Sequence, residues 1–339
     1  MNDSDSLDPL DQRIVAALQL HPRAGVSEVA RVLGEHERSV ARRIQRLVAT
    51  AVIRPTADYD PQRCGLGAAV RLRLRTARGC PEEIARSLAK CREVHTVAAV
   101  SGGHAALWCD LLAESPQLTR SLPANGFPAL PGAEVLDAHV TLRPFKSEAQ
   151  WHAPVLTEEE EQRLRSSLVR PLPGRADRPA PTSRPLTPTD RRIAEELIRN
   201  ARVSLTDLAG TVGFSVATAG RRVTSLLERQ ALRLRVLVEP ALLGRPVEAR
   251  LRLRVPPSAL EPVGTALAGC PDVRSCAAVT GSYNLLVDVC LEREADLYGF
   301  LTDVLGAHPP IGDVETQFVT RVHKRGPVVT AAPTAAPRP

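Results

Sequence analysis

The chain has 339 residues and a formal net charge of +6, and this length allows about two to four domains. Because 43% of the residues are hydrophobic but only 3% are aromatic, we expect cores of Leu, Val, Ile and Ala. No apolar stretch approaches the roughly 20 residues of a membrane-spanning helix, and the polar start is unlike a signal peptide, so we expect a cytoplasmic protein without a membrane span. The seven cysteines have no Cys-x-x-Cys and no Cys/His metal spacing, so we expect no metal and no cofactor.

The second half of the chain repeats the first at a constant offset of 179 residues, without a gap. Matching positions include Asp11 with Asp190, Gly34 with Gly213, Arg42-Arg43 with Arg221-Arg222, Arg71–Arg75 with Arg250–Arg254, and Thr141 with Thr320. Solenoid repeats have periods of up to about 50 residues, and each copy here is large enough to bury its own core. We therefore expect two whole protomers fused in one chain, which pair as an intrachain pseudo-dimer.

Three helices are predicted at the start of each copy. Apolar residues at helical spacing, from Leu10 to Leu18 in the first copy, indicate the first helix. Gly34 and Gly213 each follow a short second helix, where the chain must turn before a third. The second helices are predicted over 26–33 and 205–212, and the third over 37–49 and 216–229. This arrangement is typical of a helix-turn-helix unit.

The third helix has two distinct faces in both copies. Val40, Ile44 and Leu47 form an apolar stripe, and polar residues lie on a separate face, as a recognition helix requires. Arginine also binds phosphate and guanine bidentately. A solvated basic face, or the arginine excess of a G+C-rich genome, is the alternative, but the same pattern twice favours DNA. The predicted DNA-binding residues are Ser39, Arg42, Arg43, Arg46, Ser215, Thr218, Arg221, Arg222 and Ser225.

A strand in which apolar and charged residues alternate follows each helix-turn-helix unit. In the first copy Val70, Leu72 and Leu74 are predicted to face inward and the arginines between them outward. Helix and strand patterns then continue in the order βαββαβ, which is ferredoxin-like. The predicted fold class is α+β, with two copies of a winged-type helix-turn-helix domain plus a ferredoxin-like βαββαβ domain. The predicted boundaries are 7–58 and 186–237 for DNA binding, 64–146 and 243–326 for ligand binding and assembly, and 147–185 for a helix and Pro-rich linker.

The segments outside the repeats have simpler patterns. Thr157 and Glu160 have capping-box spacing at the start of a short helix that is predicted to reach about Arg170. Residues 171–185 are rich in Pro and Arg and indicate an extended linker. The first six residues and the Pro/Ala tail from Pro327 to Pro339 are predicted to be disordered.

These features resemble the leucine-responsive/asparagine-regulator (Lrp/AsnC) family of transcription factors. The resemblance rests on the runs Leu7–Ile14, Val40–Leu47, Leu186–Ile193, Gly213–Ser215 and Ala219–Val223. It implies binding to double-stranded DNA through the helix-turn-helix units. It also implies that the ferredoxin-like domains sense a small-molecule effector, an amino acid or a related metabolite.

Two departures from the family pattern concern sites. The turn before the recognition helix is Gly213-Phe214-Ser215 in the second copy, but Glu35 and His36 stand in the first, where they predict weaker capping and an anion near the DNA. The family often has Gly-x-Tyr-Asp near the effector. On this basis the predicted effector-binding residues are Gly102, Gly281, Ser282, Tyr283 and Asn284, with a plain tight turn as the alternative.

The main prediction is a sequence-specific regulator that is not an enzyme. The alternative from another class is a siroheme-type tetrapyrrole decarboxylase, because such enzymes look like this family and pair two units. His95, His104 and His139 lie in predicted strands of the first copy, but Arg274, Tyr283 and Phe318 stand at the matching positions of the second. Sequence-independent architectural DNA binding is a third possibility. Further self-association is open, although the outward arginines argue against a wholly apolar contact between sheets.

Overall fold

The first helix-turn-helix unit opens the computed structural model, which describes residues 6–76, 81–91, 93–102, 104–113, 132–167 and 184–329. Unit 1 consists of α1 (Pro9–Leu20), α2 (Val26–Leu33) and α3 (Glu37–Ala49). The Asp8 side chain caps α1 by accepting hydrogen bonds from the backbone N–H groups of Leu10 and Asp11. Gly34, with φ +70°, ends α2 in the left-handed conformation that a glycine adopts without strain.

Unit 2 has the same three-helix plan. It consists of α6 (Pro188–Arg199), α7 (Leu205–Val212) and α8 (Val216–Glu228), and Gly213 ends α7 with φ +76°. Between the units, α5 spans Glu158–Ser166 and is capped by Thr157 and Glu160 as predicted. It ends before Arg170, which lies with residues 171–183 of the predicted linker outside the described residues. No helix in the described part of the chain is both long and apolar enough to cross a bilayer.

The ferredoxin-like domains share one closed sheet. In copy 1 (residues 7–146) the strands are β2 (Ala68–Thr76), β3 (Val94–Ser101), β4 (Leu107–Ala113) and β5 (Ala133–Lys146), with α4 at Pro81–Lys90. In copy 2 (residues 186–326) they are β7 (Val247–Leu253), β8 (Val273–Val279), β9 (Leu285–Leu291) and β10 (Val314–Arg325), with α9 at Leu260–Ala268 and α10 at Asp296–Gly299, which continues as a π-helix over Phe300–Leu305. Residues 117–122, where the predicted βαββαβ order places the second helix of copy 1, lie outside the described residues.

Two strand pairings between the copies close the ring. Within each copy the strands follow the ferredoxin order, β3-β4-β2-β5 and β8-β9-β7-β10. Strand β5 pairs antiparallel with β8, and β10 pairs antiparallel with β3. Eight strands thus form a ring, to which β11 (Val328–Val329) adds at β10. Because β11 is ordered, the predicted disorder from Pro327 is wrong for the first residues of the tail.

The strands that join the units to the sheet also pair across the copies. Strand β1 (Arg54–Tyr59) pairs antiparallel with β6 (Leu232–Leu237), so the wing is one ribbon shared by both copies. Strand β1 lies against unit 2, where the Thr56 hydroxyl donates to the Ile198 carbonyl over 2.6 Å. Strand β6 lies against unit 1, since Val236 belongs to the same apolar core as α1–α3. Each linker strand therefore supports the other copy's unit.

The outward arginines of the sequence prediction lie inside the ring instead. Arg71 and Arg250 form ion pairs with both Asp110 and Asp288, at N···O distances of 2.9–3.5 Å. A second group joins Arg73 and Arg252 to Asp137 and Glu315. Each group takes one arginine and one carboxylate from each copy, so its charges balance. Buried charges are tolerated when they are paired in this way. Only Arg75 and Arg254, at the strand ends, are exposed.

The repeat contains a one-residue gap that the sequence comparison missed. Strand β3 pairs Ala98 with Trp108, and β8 pairs Ala277 with Leu286, so from β4 onward the offset is one residue shorter. The insertion lies in the loop after β3. Asp110 therefore corresponds to Asp288, and Lys146 to Lys324. The matches of Thr141 with Thr320 and of His139 with Phe318 are wrong by one position.

Candidate nucleic-acid interface and ligand cleft

The recognition helices α3 and α8 are held to their units by the same ion pair. In unit 1 the Arg43 guanidinium lies 2.8 Å from the buried Asp11 carboxylate, and in unit 2 Arg222 lies 2.9 Å from Asp190. Arg43 and Arg46 make further ion pairs with Asp8 and Asp11, respectively. The predicted DNA-binding arginines of one helix are therefore not equivalent to each other. Arg43 and Arg222 also hold their recognition helices against the rest of the unit.

Two of the predicted DNA-binding arginines form no ion pair with the described residues. Arg42 and Arg221 are exposed at matching positions and have no carboxylate partner among the described residues. Arg221 donates only a long hydrogen bond, 3.4 Å, to the Thr218 hydroxyl. Of the hydroxyl residues predicted beside them, Ser39 and Thr218 are half-buried, whereas Ser215 and Ser225 are exposed. The predicted set therefore shares one face of each helix, with the arginines Arg42 and Arg221 least engaged.

The two recognition helices begin differently. In unit 2 the Ser215 hydroxyl accepts a hydrogen bond of 3.2 Å from the Thr218 N–H, which is a regular cap. In unit 1 His36 makes no capping hydrogen bond with its side chain. Glu35 and Glu37 flank that end, where copy 2 has Phe214 and Val216 exposed. Unit 1 consequently presents anions where unit 2 presents apolar groups.

The two units contact each other directly. The Arg23 guanidinium donates to the Val203 carbonyl over 2.9 Å, and Arg202 donates to the carbonyls of Pro22 and Ala24 over 2.8 and 3.0 Å. Burial lowers the pKa of both arginines. With the shared ribbon β1–β6, these contacts fix the spacing of the recognition helices. These contacts could not be predicted from residue types, since the partners are backbone carbonyls.

A groove rich in arginine borders α8. It has a volume of about 380 Å³ and is lined by Arg184, Arg221, Arg222 and Arg229, with Asp190 as the only carboxylate of the described lining. Arg229 donates to the Arg184 carbonyl over 3.0 Å and so joins the linker end to the helix. Such a groove favours a phosphate. Arg184 and Arg229 were missed, since Arg184 lies in the predicted linker and Arg229 is the last residue of the helix predicted over 216–229.

The predicted effector residues lie in two loops that face the other copy's last strand. The Gly102 carbonyl accepts a hydrogen bond from Gln317, and Gly281 (φ +106°) lies against the His139 ring. Asn284 is occupied, because its side-chain amide donates to and accepts from the Val255 backbone over 2.8 and 3.0 Å. The Tyr283 ring lies under the Arg252 guanidinium at 4.3 Å. Among the predicted residues, Ser282 and the glycines are the exposed ones.

A larger cleft opens beside copy 1, and the sequence did not indicate it. Its volume is about 980 Å³, and it is bounded by α6, β1, β2, β3 and the end of β10. His95 lies in its wall, 3.3 Å from Asp58, which is also bound to Arg235 at 2.5 Å. Burial disfavours the charged form of His95, but the hydrogen bond and charge of Asp58 outweigh it and raise the pKa. No cluster of three or more metal-binding side chains occurs within the described ranges.

Comparison with protein families identifies both parts of the architecture. The AsnC-type helix-turn-helix domain matches residues 7–48 and 186–227, and the Lrp/AsnC ligand binding domain matches residues 248–329. The proline dehydrogenase transcriptional activator of Rhodobacter capsulatus is 31% identical over 128 residues, which are 36% of this chain and 82% of that relative. The HTH-type transcriptional regulator FL11 of Pyrococcus horikoshii is 24% identical over 141 residues, or 41% of this chain and 93% of the relative.

A solved structure matches both copies at once. The siroheme decarboxylase NirDL has a TM-score of 0.59 and 19% identity, and the match covers 93% of this chain and 92% of that chain. Its co-complex with an iron-uroporphyrin III analogue has a TM-score of 0.58 and covers 95% and 94%. The prediction that the chain is not an enzyme is therefore wrong as it stands, because an enzyme has this paired fold along nearly the whole chain. The two regulators match 41% and 36% of this chain, whereas the decarboxylase fold matches 93% of it.

Proposed function

Because the chain belongs to the Lrp/AsnC family of transcriptional regulators, we propose that it binds double-stranded DNA sequence-specifically and regulates transcription. In this proposal a single chain supplies both recognition helices as an intrachain pseudo-dimer, and it acts in the cytoplasm. The observation that carries the proposal is the exposure of Arg42 and Arg221 on two helices, each fixed by an equivalent ion pair, Arg43–Asp11 or Arg222–Asp190.

The fixed pair of units implies a particular operator. The contacts of Arg23 and Arg202 and the ribbon β1–β6 support a constant separation of the recognition helices. Paired helix-turn-helix units bind half-sites about one helical turn, or a multiple, apart. Since the two helices begin with different residues, we expect an imperfect inverted repeat, with the stronger half-site under unit 2.

The proposed effector is an amino acid or a related metabolite, bound between the ferredoxin-like domains near Gly102, Gly281, Ser282, Tyr283 and Asn284. Support comes from the position of both glycine loops against the other copy's last strand. The engagement of Asn284 with Val255 assigns that side chain to loop geometry, so exposed Ser282 and the backbone are the expected contacts. A ligand at 100 times its Kd would stabilise the fold by about 2.7 kcal/mol, which a thermal-shift screen of amino acids and keto acids detects.

DNA binding is tested by selecting genomic fragments and measuring their affinity by fluorescence anisotropy. We expect Arg42→Ala/Arg221→Ala to lose most of the preference for the selected site, because each base contact contributes about 1–3 kcal/mol of discrimination. Arg86→Ala/Arg293→Ala is the matched control, since it removes two exposed arginines from the ferredoxin-like domains. Equal affinities of the two double variants would overturn the assignment. A uniform loss on every sequence, with a steep salt slope, would indicate architectural binding instead.

A second candidate function is decarboxylation of a tetrapyrrole, as in the enzyme whose fold matches along the chain. The observation in its favour is the cleft of about 980 Å³ with His95 in its wall, since ligand sites commonly have about 300–1,000 Å³. Incubation of the purified chain with an iron tetrapyrrole carboxylate tests it by the absorption spectrum and by the loss of carboxyl groups in mass spectrometry. Unchanged substrate and an unshifted absorption band would exclude this function.

A further inference from the structure

In copy 2, described residues cover the surface that corresponds to the wide cleft beside copy 1. There, the segment after β5 covers the equivalent surface: the Trp151 indole N–H donates to the Pro271 carbonyl over 3.0 Å, and the Arg274 guanidinium lies 5.8 Å from the ring. The Ala153 N–H donates to Gln19 over 3.2 Å. Trp151 and Ala153 are buried in the core of unit 1. Copy 2 therefore fills its cleft with an aromatic side chain of the protein itself.

In copy 1 the same surface is left open. The positions equivalent to Arg274 and Gln19 are His95 and Ile198, and both line the cleft. The chain that could cover them takes another path, because after β10 it turns back at Gly326 (φ +60°) and Val328–Val329 pair with β10. Val329, at the position of Trp151, is 56% exposed. The cleft therefore keeps the space that an indole occupies in the other copy.

The open cleft also has cations without a carboxylate partner among the described residues. The Lys324 ammonium is buried and donates only to the Cys91 carbonyl, over 2.7 Å. Lys90 and Arg191 are exposed at the rim. The described lining holds eight Lys or Arg side chains and six carboxylates, so the charge balance favours an anion. Burial lowers the pKa of Lys324, and a carboxylate bound beside it would raise that pKa.

We propose that this cleft binds one small aromatic carboxylate per chain. Its flat ring would take the place that Trp151 takes in copy 2, beside His95 and Ile198, and its carboxylate would lie at Lys324, with Lys90 at the rim. The site is separate from the glycine loops, because neither Gly102 nor Gly281 lines it.

The position of the site couples it to one DNA-binding unit. Helix α6 and strand β1 form one wall of the cleft, and the sheet strands β2 and β3 form the other. A ligand there bridges unit 2 to the ring, as Trp151 and Ala153 bridge unit 1 to it. This consequence rests on the proposed regulatory function, whereas binding itself does not. Unit 2 is then the unit whose hold on the ring depends on a ligand.

Equilibrium dialysis of the full chain, without DNA, tests the binding. Indole-3-acetate and L-tryptophan are the anionic and zwitterionic probes, and indole is the neutral one. We expect saturable binding of indole-3-acetate at one per chain, about tenfold or more tighter than indole, because a charge-assisted hydrogen bond contributes at least that factor. Equal affinities for indole and indole-3-acetate, or no saturable binding of any probe, would overturn the proposal.

Two matched variants locate the site. Lys324→Met should weaken indole-3-acetate binding about tenfold or more, whereas Arg293→Met should leave it unchanged. Arg293 is the control, because it is an exposed cation of copy 2 that does not line the cleft. Ala69→Trp, which adds an indole to the wall of the cleft, should abolish binding while the circular dichroism stays the same. Equal losses in Lys324→Met and Arg293→Met, or binding that survives Ala69→Trp, would contradict the assignment.

One rival occupant is the tail after Val329. A chain that ends at Val329 should bind indole-3-acetate with the affinity of the full chain if the cleft is a ligand site. If only the shortened chain binds the probe, the tail is the occupant and the proposal falls. DNA affinity is measured separately with and without the probe, so a failure of ligand binding is distinguishable from a failure of DNA binding.

Discussion

The two copies are alike inside the closed sheet and unlike outside it. Inside, Asp110 and Asp288 each contact both Arg71 and Arg250 across the copies. Outside, Trp151 seals one cleft, whereas Val329 leaves the other open. The interior charged groups need partners from both copies, so neither copy can lose one of these charges alone, although the uncharged Trp108 and Leu286 differ at matching positions. The exterior has no such constraint, because two copies in one chain pair without a self-complementary surface.

The largest effect should come from removing the side chain that seals copy 2. Trp151→Ala should lower the free energy of unfolding by about 4 kcal/mol, since a buried Trp to Ala change leaves a cavity. Val329→Ala, at the equivalent and exposed position, should change it by less than about 0.5 kcal/mol. Urea denaturation measures both values. Similar losses of unfolding free energy in the two variants would mean that Trp151 and Val329 cover their clefts equally.

Removing a carboxylate from inside the closed sheet should lower the unfolding free energy equally in either copy. Asp110→Ala and Asp288→Ala should each cost about 3 kcal/mol of unfolding free energy, because either change leaves two buried guanidiniums with one carboxylate. Arg254→Ala is the control and should cost less than about 1 kcal/mol, since its ion pair with Asp313 is exposed. A loss in only one of the aspartate variants would contradict the shared interior.

The DNA-binding units should contribute unequally. Arg221→Ala should weaken binding to the selected operator by about 1–3 kcal/mol, and Arg42→Ala by an amount near the lower end of that range. The reason is that Glu35 and Glu37 repel phosphate beside unit 1 and have no acidic counterpart in unit 2. Glu35→Gln/Glu37→Gln should therefore raise the affinity. Fluorescence anisotropy titrations measure these affinities. A larger loss of affinity in Arg42→Ala than in Arg221→Ala would contradict the stronger role of unit 2.

The smallest effect concerns pH at the junction of β1 and β3. Burial disfavours the charged form of His95, but the hydrogen bond and charge of Asp58 outweigh the effect of burial. The pKa of His95 therefore lies above the usual value of 6.5 in the folded chain. Arg235 and Glu148 also face it. The stability from this shift is fully present below pH 6.5 and is lost as pH rises through the raised pKa. The difference in unfolding free energy between the wild type and His95→Gln should thus be larger at pH 6 than at pH 8; a constant difference would refute this.

Local patterns predicted the helices well, and pairings across the copies could not be predicted. The stripe of Val40, Ile44 and Leu47 is buried as expected, because helix periodicity is a local property. Whether Arg71 points to solvent or to Asp288 depends on closure of the ring by the other copy. The gap after β3 was hidden because Thr141 and Thr320 match by chance when the loop is counted without a structure.

The cleft could not be predicted from the sequence for the same reason. Trp151 and Val329 differ in role because the chain takes different paths after β5 and β10. No local pattern encodes that difference. The ion pair Arg43–Asp11 was open to prediction in principle, since it recurs as Arg222–Asp190 at the same sequence separation in both copies.

The most direct test of one chain acting as a pair of unequal units is the stoichiometry and footprint of its complex with a selected operator. Multi-angle light scattering of the complex gives the number of chains, and hydroxyl-radical footprinting gives the protected positions. We predict one chain per operator, with two protected half-sites about one helical turn or a multiple apart and stronger protection under unit 2. Two chains on a strictly symmetric site, or protection of a single half-site, would contradict the account.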